Sequence, residues 1–179
     1  VRENIGKPLA TALDAYAPKG YEVKPEMISN AYRKWYAEQG RLGLQDEPLF
    51  PGMFKLINDL KVNKEFHIGV ATNKSRIALN NGLKKHNLIN IFDITLTMDE
   101  AKAKPDPDMA IQAMSMLNIE KKSTIIVGDT INDIGLGVNA GINSIGVAWG
   151  YNSIEMLRNE GADFIIKDSE ELFDTIINL

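Results

Sequence analysis

The chain contains no cysteine in 179 residues. Disulfides, thiolate-ligated zinc, iron–sulfur clusters and thiol nucleophiles are thereby excluded. Histidine is almost as scarce. His67 lies in an apolar run and His86 falls near the end of a helical stretch, where positive charge is favourable; both read as structural. No apolar run nears the ~18 residues of a membrane-spanning helix. The first residues, Val1-Arg2-Glu3-Asn4, lack the apolar core of a signal peptide. A formal charge of −4 is the wrong sign for a general nucleic-acid or polybasic membrane binder. The expectation is therefore a cytoplasmic protein with neither a nucleic acid nor a membrane as partner. What is present is ordinary for a folded chain: 44% hydrophobic and 25% charged residues. The length suits one domain, or one with a small appendage.

Two textures follow one another. Residues 1 to about 49 contain no β run. Pro25 to Gln39 predicts a helix, with Pro25 in the first turn and Gly40 past the end. Ile28, Ala31, Tyr32, Trp35 and Tyr36 make one apolar, aromatic face, suited to packing against another helix. Leu9 to Ala15 suits a further short helix. From Leu49 onward, short apolar runs alternate with helical patterns. Strands are expected at Phe66–Thr72, Phe92–Met98, Thr124–Val127, Ser144–Ala148 and Asp163–Ile166. Helices are expected after Pro51-Gly52, at Ser75–Asn87, Asp106–Leu117, Asp133–Ala140 and Ser153–Asn159, and after an Asp168/Glu171 capping box. This alternation implies an α/β fold with a doubly wound parallel sheet.

Ligands of such sheets bind beyond the C-terminal ends of the strands. After the first strand come Thr72, Asn73, Lys74 and Ser75, where a hydroxyl, an amide and helix N-terminal N–H groups meet at a potential anion site. A plain N-cap is the alternative. After the most apolar strand comes Gly128-Asp129-Thr130-Ile131-Asn132-Asp133. Two carboxylates one helical turn apart can share Mg²⁺, directly or through water; surface caps are the alternative. In Lys104-Pro105-Asp106-Pro107-Asp108, a lysine in a proline-stiffened loop could neutralise a phosphate or an acidic nucleophile. Gly135-Leu136-Gly137-Val138-Asn139-Ala140 matches a dinucleotide fingerprint in letters only. Its glycines fall inside a helix, where they favour close helix–sheet packing. Asn73-Lys74-Ser75 also fits a glycosylation acceptor, with nothing to suggest secretion.

In this order, Thr72, Lys104 and Gly128–Asp133 resemble the second, third and fourth motifs of the haloacid dehalogenase superfamily. Ile5-Gly6-Lys7-Pro8-Leu9, Pro51-Gly52 and Trp149-Gly150-Tyr151 resemble its phosphoglycolate-phosphatase-like branch. The resemblance implies a Rossmann-like core at residues 50–179 under a partial helical cap at residues 1–49. It also implies a Mg²⁺-dependent phosphatase acting on a small phosphorylated metabolite, such as phosphoglycolate, through an aspartyl-phosphate. Thr72 and Lys104 would be catalytic. Thr72, Asn73 through its backbone N–H, and Lys104 would bind the phosphoryl group, and Asp129 and Asp133 would hold the metal or its waters.

The family's nucleophile motif, Asp-x-Asp-Gly-Thr after an apolar strand, does not occur in residues 1–179. Asp106-Pro107-Asp108 follows no apolar strand and belongs to the lysine loop. The resemblance thus implies that the attacking Asp lies upstream and that residues 1–179 alone are inactive. The central strand, between those ending at Thr72 and Asp129, would also be missing. The other readings are a non-catalytic binding module on the same fold, and a dehalogenase or phosphomutase relative.

Overall fold

The computed structural model describes residues 25–42 and 47–179. The helix expected at Leu9–Ala15 and the Ile5–Leu9 stretch lie outside them. Helix α1 spans Pro25–Arg41, running through Gly40 rather than stopping before it. The order continues as α2 (Met53–Val62), β1 (Gly69–Thr72), α3 (Arg76–Lys85), β2 (Ile94–Thr97), α4 (Asp108–Leu117), a 3₁₀ turn (Lys121–Ser123) and β3 (Ile125–Gly128). It ends with α5 (Ile131–Ala140), β4 (Asn143–Val147), α6 (Ile154–Glu160), β5 (Phe164–Ile166) and α7 (Ser169–Ile177).

All strand pairs are parallel, as expected for an α/β chain. They form two sheets, β1–β2 and β3–β4–β5. Among the described residues β1 and β3 have no ladder between them. Accordingly, β3 is only half-buried along its length, whereas β4 is buried from Ser144 to Val147. The two sheets are joined by side chains instead. Ile94 and Leu96 of β2, Met109 and Met114 of α4 and Leu136 of α5 form one buried cluster, with Ile126 of β3 packed against it. On the other face Leu56 and Leu60 of α2, Ile145 and Val147 of β4, and Leu172 of α7 form a second cluster. Helices thus cover both faces, as a doubly wound sheet requires.

Local chemistry moved several boundaries. β1 starts at Gly69 rather than Phe66, because the Ile68 N–H is taken by the Asp93 carboxylate at 2.9 Å. Helix α5 starts at Ile131, two residues before Asp133. Asp133 is its third helical residue, and its Oδ2 accepts from the Thr130 N–H at 3.0 Å and hydroxyl at 2.7 Å. At α7, Asp168 caps the Glu170 and Glu171 N–H groups. The expected box is displaced by one residue, since Glu171 reaches back to the Lys167 N–H instead. Gly141 and Gly161 end α5 and α6 in the left-handed conformation. Gly137 faces Ile126 of β3 and Ser144 of β4 so closely that a Cβ would overlap both, which is the close packing the sequence suggested.

The aromatic residues of α1 lie together on one face. Tyr32 stacks on Tyr36 and tilts against Trp35, and Trp35 remains 56% exposed. A helix this face was expected to pack against, such as Leu9–Ala15, lies outside the described residues. His86 meets the Glu47 carbonyl at 2.7 Å through Nε2, and His67 lies exposed 3.8 Å from Asp93, consistent with structural roles. No described helix is long and apolar enough to cross a membrane.

Candidate active site

Four short loops converge beyond the C-terminal ends of β1, β2, β3 and β4. Each is placed by a strand that stops and a helix that starts. At the end of β1, Ser75 caps α3 by accepting from the Ala78 N–H at 3.3 Å. That leaves Thr72 and Asn73 in the turn before the helix. Thr72 Oγ1 accepts from the Lys74 N–H at 3.2 Å, so its own O–H proton remains a donor.

Lys104 comes from the loop between β2 and α4. Its ammonium donates to the Ala71 carbonyl at 2.8 Å and to Asp133 Oδ1 at 2.5 Å. The ion pair is well shielded, with side-chain exposures of 11% and 9%. Its backbone is also gripped: the Lys104 N–H donates to Asn73 Oδ1 at 2.8 Å, and the Lys104 carbonyl accepts from Asn73 Nδ2 at 3.1 Å. The structure therefore brings together the ends of β1, β2 and β3 that the sequence singled out.

Asp129 ends β3 and is set from the far side by the loop after β4. Its Oδ2 accepts from the Tyr151 N–H at 3.0 Å, and its carbonyl accepts from the Asn152 N–H at 3.1 Å. Asn152, 7% exposed, accepts the Ile131 N–H at 2.8 Å and so fixes the first residue of α5. Gly150 lies where a Cβ would overlap the Asp129 side chain. Burial pushes the Asp129 carboxyl above its ordinary value, partly opposed by the Tyr151 N–H and reinforced by the Asp133 charge. A desolvated carboxylate beside a second one favours a cation.

These donors suit Mg²⁺, a hard ion that commonly takes one or two carboxylates, waters and phosphate oxygens. Asp133 has both oxygens engaged, by Lys104 and Thr130, which suits it to hold metal-bound water. Asp129 is the candidate for direct contact. Among the described residues no group of three or more His, Cys, Asp or Glu side chains forms a complete cage.

Sequence reading missed Asn152 and the Ala71 carbonyl. Asn152 follows β4, so the strand-end rule applied to that strand would have found it. The Ala71 carbonyl carries no sequence signal, because a backbone oxygen is the same at every position.

A doubly wound parallel sheet with a hydroxyl, a lysine and a carboxylate pair on successive strand ends is the arrangement of the haloacid dehalogenase-like hydrolases. The model of that family, described as haloacid dehalogenase-like hydrolase, matches residues 1–147. The chain belongs to this family of enzymes. It is 30% identical over 174 residues to the pyrophosphatase PpaX of Anoxybacillus flavithermus, covering 96% of this chain and 77% of the relative. The crystal structure of "a predicted phosphatase" from Clostridium acetobutylicum superposes with a TM-score of 0.82 at 29% identity, covering 99% of this chain and 81% of that one. That of a "putative phosphoglycolate phosphatase" from Lactobacillus delbrueckii subsp. bulgaricus gives 0.80 at 22% identity, covering 98% and 81%, a likeness of fold.

Proposed function

We propose that this protein is a Mg²⁺-dependent phosphatase of a small phosphomonoester metabolite, phosphoglycolate-like in size, acting through an aspartyl-phosphate. The carrying observation is the Lys104–Asp133 pair beside Asp129, held against the end of β1. It supports the reading because the Lys104 ammonium is fixed at the end of β1, beside the turn that carries the Thr72 hydroxyl.

In this reading the Thr72 O–H and the Asn73 backbone N–H orient the phosphoryl oxygens. The Lys104 ammonium, with two of its three protons committed, directs the third at the nucleophile or the transferring group. Mg²⁺ at Asp129, with Asp133 on its waters, would offset repulsion between an anionic nucleophile and an anionic substrate. The attacking carboxylate comes from outside residues 1–179, since no Asp-x-Asp-Gly-Thr run occurs in them. The reading assigns residues 1–49, of which 25–42 and 47–49 are described, to a partial cap and residues 50–179 to the core.

The test is hydrolysis of p-nitrophenyl phosphate, then of phosphoglycolate and pyrophosphate, by the protein carrying its upstream segment, with and without Mg²⁺. Pyrophosphate is included because of the name PpaX. Turnover that needs Mg²⁺ and is lost in Asp129→Ala supports the reading. No turnover, or equal turnover in Asp129→Ala, refutes it.

A further inference from the structure

Lys104 sits in a loop, and loops move more than the elements they join. A charge meant to act on a transferring group must nevertheless be placed to within a fraction of an ångström. The ammonium is anchored at Ala71 and Asp133, but two bonds at the tip of a long side chain do not fix the backbone from which it springs. Asn139 Nδ2 holds the next carbonyl, that of Pro105, but both backbone bonds of Lys104 itself come from one carboxamide, 31 residues away in sequence. Asn73 Oδ1 accepts the Lys104 N–H and Asn73 Nδ2 donates to the Lys104 carbonyl. The side chain thus imitates a strand neighbour, offering donor and acceptor to a single residue. Among side chains of this length only asparagine carries both in one planar group.

Both ends of Lys104 are therefore referenced to one short stretch of chain: the ammonium to Ala71, the backbone to Asn73. Thr72 lies between them. We infer that Asn73 is a positioning residue whose side chain sets the distance between the Lys104 ammonium and the Thr72 hydroxyl, rather than a side-chain ligand of the phosphoryl group. The inference rests on the phosphatase reading only for what Lys104 does, not for how it is held.

The test compares Asn73→Leu, which removes both bonds at similar volume, with Asn73→Asp, which keeps the acceptor and loses the donor. Accessibility of Lys104 to an acetylating N-hydroxysuccinimide ester is measured by mass spectrometry, with Lys61 as internal reference. Local release of the loop should raise Lys104 labelling about fivefold relative to Lys61 in Asn73→Leu, and less in Asn73→Asp. With p-nitrophenyl phosphate, kcat should fall about tenfold or more while KM changes little, since misplacement by ~1 Å can cost ~100-fold. Unchanged relative labelling in both variants overturns the inference, whatever the activity. Raised labelling with unchanged kcat overturns the positioning role. Raised labelling in a protein whose wild type hydrolyses nothing leaves the clamp standing and removes the phosphatase reading. Should Asn73→Leu unfold, shown by labelling of Lys61 as well, Asn73→Asp decides by the same criteria.

Discussion

Replacing Lys104 by methionine keeps the aliphatic stem and deletes the charge. The ammonium now neutralises Asp133 across 2.5 Å, with both side chains about nine-tenths covered. Without it, the Asp133 carboxylate keeps only the Thr130 N–H and hydroxyl. Breaking one partner of a shielded ion pair costs about 3–5 kcal/mol, because the remaining charge is still desolvated. For a domain of this size that lowers the melting temperature by on the order of 10 °C. Removing both charges costs less, since the desolvation penalty goes with them. Lys104→Met combined with Asp133→Asn should therefore recover a large part of the loss, about 1–3 kcal/mol of coupling. Urea unfolding of the wild type, both single variants and the double variant at neutral pH gives the cycle directly. A single-variant loss below about 1 kcal/mol, or a double variant equal to the sum of the singles, would refute the argument that burial makes this pair costly to break.

Two further outcomes follow from residues that carry no substrate. The Arg76 guanidinium, with the Thr97 hydroxyl and N–H, holds the Glu100 carboxyl down to about 2 from an ordinary 4.5. A lowered carboxylate contributes stability above its ordinary value and loses it as pH falls toward 2; urea midpoints at pH 6 and pH 3 should show Glu100→Gln losing less on acidification than the wild type, and an identical loss would contradict this. Gly150→Ala forces a methyl against Asp129. The Mg²⁺ concentration for half-maximal p-nitrophenyl phosphate hydrolysis should rise about tenfold or more, as when a metal ligand loses its support, and an unchanged titration curve would show that Asp129 does not depend on the loop.

Much of the architecture was legible because it depends on neighbours in sequence. The apolar run before Gly128 marks a strand whatever surrounds it, and Gly141 and Gly161 end helices through their own backbone freedom. The strand-end rule brought out Thr72, Lys104, Asp129 and Asp133 because parallel topology places strand ends together. What escaped depends on distant partners. Asp93 shortened β1 from 25 residues away. Asp133 closes the Thr130–Asp133 capping box, the alternative the sequence already offered, but its pairing with Lys104, 29 residues away, carried no sequence signal. The aromatic stripe of α1 has helical periodicity, but periodicity reports which residues share a face and not what lies opposite. The grip of the Asn73 side chain on Lys104 was not legible, because the backbone it holds is specified 31 residues later.

The joint between the two sheets has a mechanical consequence. A β ladder resists shear because each hydrogen bond fixes register, whereas apolar contact is indifferent to direction. Between β1–β2 and β3–β4–β5 the described residues supply mainly the latter, through α4 and α5. The two bonds from Lys104 to Ala71 and Asp133 add directional ties where the apolar contacts have none. One ammonium thus joins the end of β1 to the first turn of α5.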